Sequence, residues 1–341
     1  MVKLKLISIP GLILCLLFTS GCLKDNPIEQ LKDMKDSEEL LVYFETHGDY
    51  INNASQMPSY LKASEVYQNL NNYLIIDIRS REKFIAGHIP NAINLKEKDL
   101  YDFVLSRKDS AYSKIVIVSE TGQESSFATA LLRLAGFNKV YSLQFGMASW
   151  HNDFSNEWNE LVKNGLMLGM YDFTNYPKPD YQPMPEIDLG SGKTTEIVSS
   201  RVKFLLNEGF AKARIDIDEI MATYNVQKKT LDYYVICYAP TRLYNIRDNG
   251  HPPTCVRYEP YNDLKSSTYL QTLPVDKPIA VYDDTGEISA HVVAYLRTLG
   301  YNAYSINLGA NGMFGLDQIN SPRIIRLRPG DIMNYSYQTG D

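Results

Sequence analysis

Gly286 stands 164 residues after Gly122 (286 − 122 = 164), and around these two glycines the chain repeats itself. At that offset Ile115, Thr121, Ser125, Ala130, Leu132, Arg133, Gly136 and Asn138 meet Ile279, Thr285, Ser289, Ala294, Leu296, Arg297, Gly300 and Asn302 without a gap. Self-similarity at a fixed offset marks a duplicated structural unit. The 341 residues leave room for two such units at roughly 150 residues per domain. Weaker echoes extend the repeat: GHIPNA (Gly87 to Ala92) against GHPPTC (Gly250 to Cys255), and YSLQFG (Tyr141 to Gly146) against YSINLG (Tyr304 to Gly309).

The unit reads as α/β. YLIIDI (Tyr73 to Ile78) and KIVIV (Lys114 to Val118) are nearly continuous apolar runs, as expected of strands buried on both faces of a parallel sheet. From Ser125 to Ala135 the apolar positions Phe127, Leu131, Leu132 and Leu134 recur near a helical period, and Gly136 stands where a helix stops. KVYSL (Lys139 to Leu143) is a further strand, and helices are expected over Ser37 to Thr46 and Ala63 to Leu70. Asp36 and Glu39 have the spacing of a capping box for the first of these. A proline-rich stretch from Tyr176 to Thr194 separates the halves. Its GSGKT lacks the first glycine of a phosphate loop, because Ile187 occupies that place.

The N-terminus reads as an export segment. Lys3 and Lys5 precede an apolar run from Leu6 to Phe18, shorter than the roughly 20 residues needed to span a bilayer but suited to a signal peptide. Thr19-Ser20-Gly21-Cys22 resembles the lipobox of bacterial lipoproteins, with Thr19 where leucine is usual. The resemblance implies acylation of Cys22 and attachment to the cell envelope; an ordinary cleaved signal that contains a cysteine is the alternative. Of the four cysteines, Cys237 and Cys255 would remain, enough for one disulfide in an exported protein or for two inert buried thiols. No CxxC is present and only five histidines exist, so no metal or cofactor is expected. The net charge of -6, with no run of Lys or Arg, argues against nucleic acid as a partner.

IIDIRSREKFIAGHIPNAINL (Ile75 to Leu95), with Asp77 and Arg79 closing a strand and Gly87-His88 in the turn beyond, resembles the rhodanese signature, and VYSLQFGMASW (Val140 to Trp150) resembles the family's end. The resemblance implies an α/β fold of two rhodanese-like domains, each a small parallel sheet flanked by helices. The expected divisions are a signal peptide (1–21), a lipidated linker and helix (22–55), a first domain (56–160), a proline-rich linker (161–200), a diverged second domain (201–325) and a C-terminal tail (326–341). In the second copy Cys237 and Ala239 stand where Asp77 and Arg79 stood.

In this family a persulfide-forming cysteine sits three residues before the loop glycine. Those positions here are Ser119 and Asp283. The loops are Ser119, Glu120, Thr121, Gly122, Gln123, Glu124 and Ser125, and Asp283, Asp284, Thr285, Gly286, Glu287, Ile288 and Ser289. A hydroxyl or carboxylate does not store sulfane sulfur, and the acidic residues disfavour anionic donors. Asp283 is expected to fill its own ring of loop amides and to be kept ionised by them. A divalent cation on Asp283, Asp284 and Glu287 is set against the commoner case of acids on a solvated loop. His88 and His251 are expected to tie down their loops, and His151 and His291 have no partner that sequence names. The role expected is therefore a catalytically degenerate one, binding an envelope protein or small ligand. The alternatives are sulfur transfer through Cys237 or Cys255, oxygen-nucleophile chemistry at Ser119, or a scaffold with no ligand.

Overall fold

A computed structural model describes residues 36–163, 171–190, 192–244, 250–314 and 324–341. The expected signal peptide and Cys22 lie outside the described residues. Two five-stranded parallel sheets form the frame. The first holds β1 (Tyr60–Leu61), β2 (Tyr73–Asp77), β3 (Ile93–Asn94), β4 (Lys114–Val118) and β5 (Val140–Leu143) in the order β1-β5-β4-β2-β3. The second holds β6 (Arg214–Ile215), β7 (Tyr234–Tyr238), β8 (Val256–Tyr258), β9 (Ile279–Tyr282) and β10 (Ala303–Ile306) in the corresponding order β6-β10-β9-β7-β8. The duplication seen in the letters is thus a duplication of topology. Every residue of β2 and of β9 is buried, which is why those strands read as unbroken apolar runs.

Four helices matter most for the site: α1 (Asp36–Thr46), α2 (Gln123–Leu134), α3 (Thr194–Glu208) and α4 (Glu287–Thr298). α2 and α4 occupy equivalent places in the two copies and pack against each other, and α3 lies against both. Their apolar residues join one core, with Phe127, Ala128, Leu131, Val292, Val293 and Leu296 at most 1 % exposed. α2 starts two residues before the expected Ser125, because Gly122 at φ 88 turns the chain into the helix directly. That makes Gln123 and Glu124 first-turn residues.

The expected segments between and beyond the domains are structural parts of the two halves. α1 belongs to the surface of the second copy: Phe44 faces the Tyr295 ring at 6.0 Å, Ser37 Oγ donates to Pro185 O at 2.6 Å, and Ser266 N and Oγ donate to the Glu45 carboxylate, each at 2.6 Å. The expected capping box is not formed. Asp36 accepts from Leu189 N at 2.5 Å and Glu39 from the Thr194 hydroxyl, because the proline-rich stretch passes beside the helix and brings its own donors. That stretch is a strap on the second copy that buries Met184, and just before it Asp172 and His251 exchange two 2.9 Å backbone hydrogen bonds. α3 begins at Thr194, where the proline-rich stretch ends.

The C-terminal tail is likewise packed rather than free, and it returns to the first copy. Tyr335 N donates to Trp150 O and Trp150 Nε1 to Ser336 O, both at 3.0 Å, and His88 and Gln338 exchange backbone hydrogen bonds at 2.9 Å. Tyr335 stacks on Tyr67 with ring centroids 3.9 Å apart. Aromatic faces at the end of the chain give the tail a place to bury.

Candidate functional site

β4 and β9 each end in a loop whose glycine is left-handed, Gly122 at φ 88 and Gly286 at φ 83, a conformation that favours glycine. Each loop then opens a helix, so its free amides converge at a helix N-terminus. In the first loop the Ser119 hydroxyl accepts from Gly122 N (3.2 Å) and Ser125 N (3.1 Å) and donates to Ser125 Oγ (3.0 Å). In the second, Asp283 accepts from Ser289 N at 3.0 Å, Thr285 N at 3.3 Å and Ile288 N at 3.4 Å. Each side chain thus occupies its own cradle, and both are 1 % exposed.

Burial outweighs the amide donors at Asp283, and with Asp284 beside it the carboxyl is pushed up. The acids of this loop are not solvated: Asp284 and Glu287 are 4 % and 0 % exposed. Asp284 takes both nitrogens of Arg242 (2.8 and 2.6 Å) and the amide of Ile325 (2.9 Å), a bidentate pair. Arg242 lies outside the repeat's matched positions, so no sequence signal marked it.

The two loops also fill each other. Gln123 reaches from the first copy into the second, where its Nε2 donates to Ser305 Oγ (2.7 Å) and Ile306 O (3.0 Å) and its Oε1 accepts from Leu308 N (3.1 Å). Glu287, at the equivalent position, reaches back to accept from Phe145 N at 2.8 Å and from the Thr285 hydroxyl at 3.1 Å. A Cβ on Gly286 would meet Gln123 Nε2 at 2.6 Å, and one on Gly122 would meet Glu287 Oε1. Both glycines are therefore needed for close approach as well as for φ. Burial pushes the Glu287 carboxyl up to about 8, against the pull of its two donors.

Asp77 and Arg79 do not enter the cradle. Arg79 forks onto Asp77 (Nη2 to Oδ2 2.7 Å) and donates to Gly87 O at 2.6 Å, tying the strand end to the Gly-His turn. His88 Nδ1 donates to Phe84 O at 2.9 Å, and its ring stacks on Phe84 at 3.8 Å. His251 sets its nitrogens against the carbonyls of Pro252 (2.9 Å) and Thr174 (3.1 Å). His151 Nδ1 accepts from Asp153 N at 3.1 Å. His291 is fully buried, donates Nδ1 to Glu287 O at 2.8 Å, and is pushed down to about 4 by burial.

Beside the first loop a cavity of about 100 Å³ remains, lined by Ser119, Glu120, Thr121, Glu124, Glu157 and Arg214 among others. Glu120 faces Arg79 (3.5 Å) and Lys83 (3.4 Å). Glu124 is half-buried and raised to about 7 by desolvation, with Arg214 pulling the other way. Glu97, which accepts from Phe210 N at 3.1 Å, is raised to about 8 by burial and by Glu124. Among the described residues no cluster of His, Cys, Asp and Glu has metal-binding geometry.

Of the two alternatives for the remaining cysteines the structure has the buried thiols: Cys237 and Cys255 are free and buried. Cys237 lies on β7 and Cys255 just before β8, and both thiols turn toward the Tyr282 hydroxyl, Cys255 at 3.8 Å. Burial pushes Cys237 up to about 12 and Cys255 well above the ordinary thiol value.

Comparison with known proteins places this geometry. Residues 62–153 match the model of the rhodanese-like domain. Over 87 residues the chain is 32% identical to thiosulfate sulfurtransferase GlpE of Ectopseudomonas mendocina, a match covering 26% of this chain and 78% of that protein. Over 94 residues it is 33% identical to a probable molybdopterin-synthase adenylyltransferase of Porphyra purpurea, covering 28% of this chain and only 24% of the relative's length. Among solved structures, the rhodanese-like domain of an Anabaena protein is 29% identical, covers 27% of this chain and 72% of its own, and has a TM-score of 0.24. On its identity with the thiosulfate sulfurtransferase and the family-model match, the chain belongs to the rhodanese-like family.

Proposed function

We propose that this protein is a catalytically silent pair of rhodanese folds held at the cell envelope through Cys22, in which the former sulfur-carrying loops lock the two halves together and the outer surface serves recognition of an envelope partner or small ligand. The observation that carries the reading is the occupancy of both cradles. Ser119 and Asp283 stand at the persulfide position and use the loop amides themselves, and Gln123 and Glu287 close the loops from opposite halves. This closure favours the scaffold role over a ligand seated in the loops. Sulfur transfer needs an accessible thiolate, and the two buried thiols are held far from ionisation. An oxygen nucleophile at Ser119 needs a general base, and the hydroxyl is partnered by Ser125 and amides alone.

Wild-type protein is expected to transfer no sulfur from thiosulfate to cyanide above the uncatalysed rate. Turnover lost in Cys237→Ser or Cys255→Ser would overturn the reading, and turnover lost in Ser119→Ala would point to chemistry in the first loop. For the anchor, the full chain expressed in a lipoprotein-processing bacterium is expected to partition into the detergent phase of a Triton X-114 extraction, and Cys22→Ser to move to the aqueous phase. Equal partitioning of the two would remove the lipid from the proposal.

A further inference from the structure

At the end of the first sheet away from the Ser119 loop lies a cavity of about 480 Å³, within the size range of small-molecule sites. β4 connects the two places: Ile115 lines the cavity, and Ser119 follows the strand's far end, about 13 Å away at the usual rise per residue. The cavity floor is apolar. Val104, Ile115 and Val140 are buried there, and the rings of Tyr101 and Phe137 meet edge-on at 5.4 Å. Tyr112, 39% exposed, forms part of the wall.

The rim has the opposite character. Arg107, Lys108 and Lys139 are exposed around it, with Asp109 the one acid in the lining. Among the described residues none of these three cations has a carboxylate partner; Arg107 lies instead over the Phe103 ring at 5.3 Å. Lys83, Lys114, Lys178 and Lys203 are all taken by ion pairs. Three cations with no carboxylate partner among the described residues stand around the rim of this ring-lined cavity, in a chain of net charge -6.

We propose that this cavity binds a small amphipathic anion, with an aromatic or branched apolar body and a single carboxylate or sulfonate head. The body displaces water from the floor, worth roughly 25 cal/mol per Å² of apolar surface buried. The head stays at the rim among three cations, so no unpaired charge is taken inside. Cations at helix carboxyl ends also offset the helix dipole, but that role requires neither a cavity nor a cluster of rings. The acidic Ser119 loop would repel the same ligand, which separates this site from the family's loop.

The test is a fluorescence titration of the full chain with 8-anilinonaphthalene-1-sulfonate and with N-phenyl-1-naphthylamine, which has the same body without the anion. Saturable binding of one sulfonate per chain is expected, at least about tenfold tighter than the neutral probe. The double variant Arg107→Glu, Lys139→Glu, at exposed positions, is expected to weaken the sulfonate about tenfold or more with an unchanged melting temperature. Ser110→Trp, at a half-buried lining position, should weaken both probes. Equal affinity of the two probes, non-saturating uptake, or indifference of the sulfonate to the charge reversal would each overturn the proposal.

Discussion

Gln123→Ala is expected to lower the unfolding free energy by about 3–5 kcal/mol. Three hydrogen bonds cross from this side chain to the second copy, at 2.7, 3.0 and 3.1 Å, and the residue is 1 % exposed. Truncation strands Leu308 N and Ile306 O away from water, and each such orphan costs about 1–3 kcal/mol. The space over Gly286 adds a cavity term. Ser305 is spared in part, because its hydroxyl keeps Ser289 Oγ at 2.8 Å. Gln123→Met, which keeps volume but not polarity, separates the two contributions and is expected to retain more than half of the loss. Urea denaturation measures both. A loss below about 1 kcal/mol for the alanine variant would mean that the loops do not hold the halves together.

Stability is expected to increase as pH is lowered from about 8 toward 4.5, the reverse of ordinary acid denaturation. Glu287 and Glu97 are raised from 4.5 to about 8 and Glu124 to about 7, and Asp283 is raised as well. Across the window from 4.5 to 8 the folded state therefore holds protons that the unfolded state has released. The stabilisation is complete below the unfolded value and is lost as pH rises through the folded values. For fully buried Glu287 alone this is on the order of a few kcal/mol. His291 opposes it with one proton: depressed from 6.5 to about 4, it favours the folded state above 6.5 and loses that contribution as pH falls toward 4. Four raised carboxyls against one imidazole leave the net slope in the stated direction. Glu287→Gln keeps an oxygen to accept from Phe145 N and removes one titration, so its stability profile should be flatter between pH 5 and 8. A wild-type profile that is level or falls on acidification across that range would refute the account.

Much of the fold was legible in the letters because the signals were local. Tyr73 to Ile78 and Lys114 to Val118 are apolar on both faces and became central strands, less the final Ile78. The matched Thr-Gly pairs became equivalent loops with left-handed glycines. The rule that a side chain six residues before Ser125 or Ser289 meets that serine's amide holds in both copies, as the repeat requires.

What the sequence by itself determined was the unit, its duplication and the residue at each cradle, since periodicity and spacing record which face of an element is buried and where a backbone must turn. Tertiary structure alone decided what covers those faces. Gln123 and Glu287 read as loop residues, yet each finds a partner more than a hundred positions away. Asp36 and Glu39 had a local use that distant donors took over, Cys237 and Cys255 are free buried thiols, and the tail came back to Trp150. The physical reason is that hydrogen bonding and desolvation depend on neighbours in space, and a carboxylate written in a loop carries no mark of whether water or the other half of the molecule will surround it.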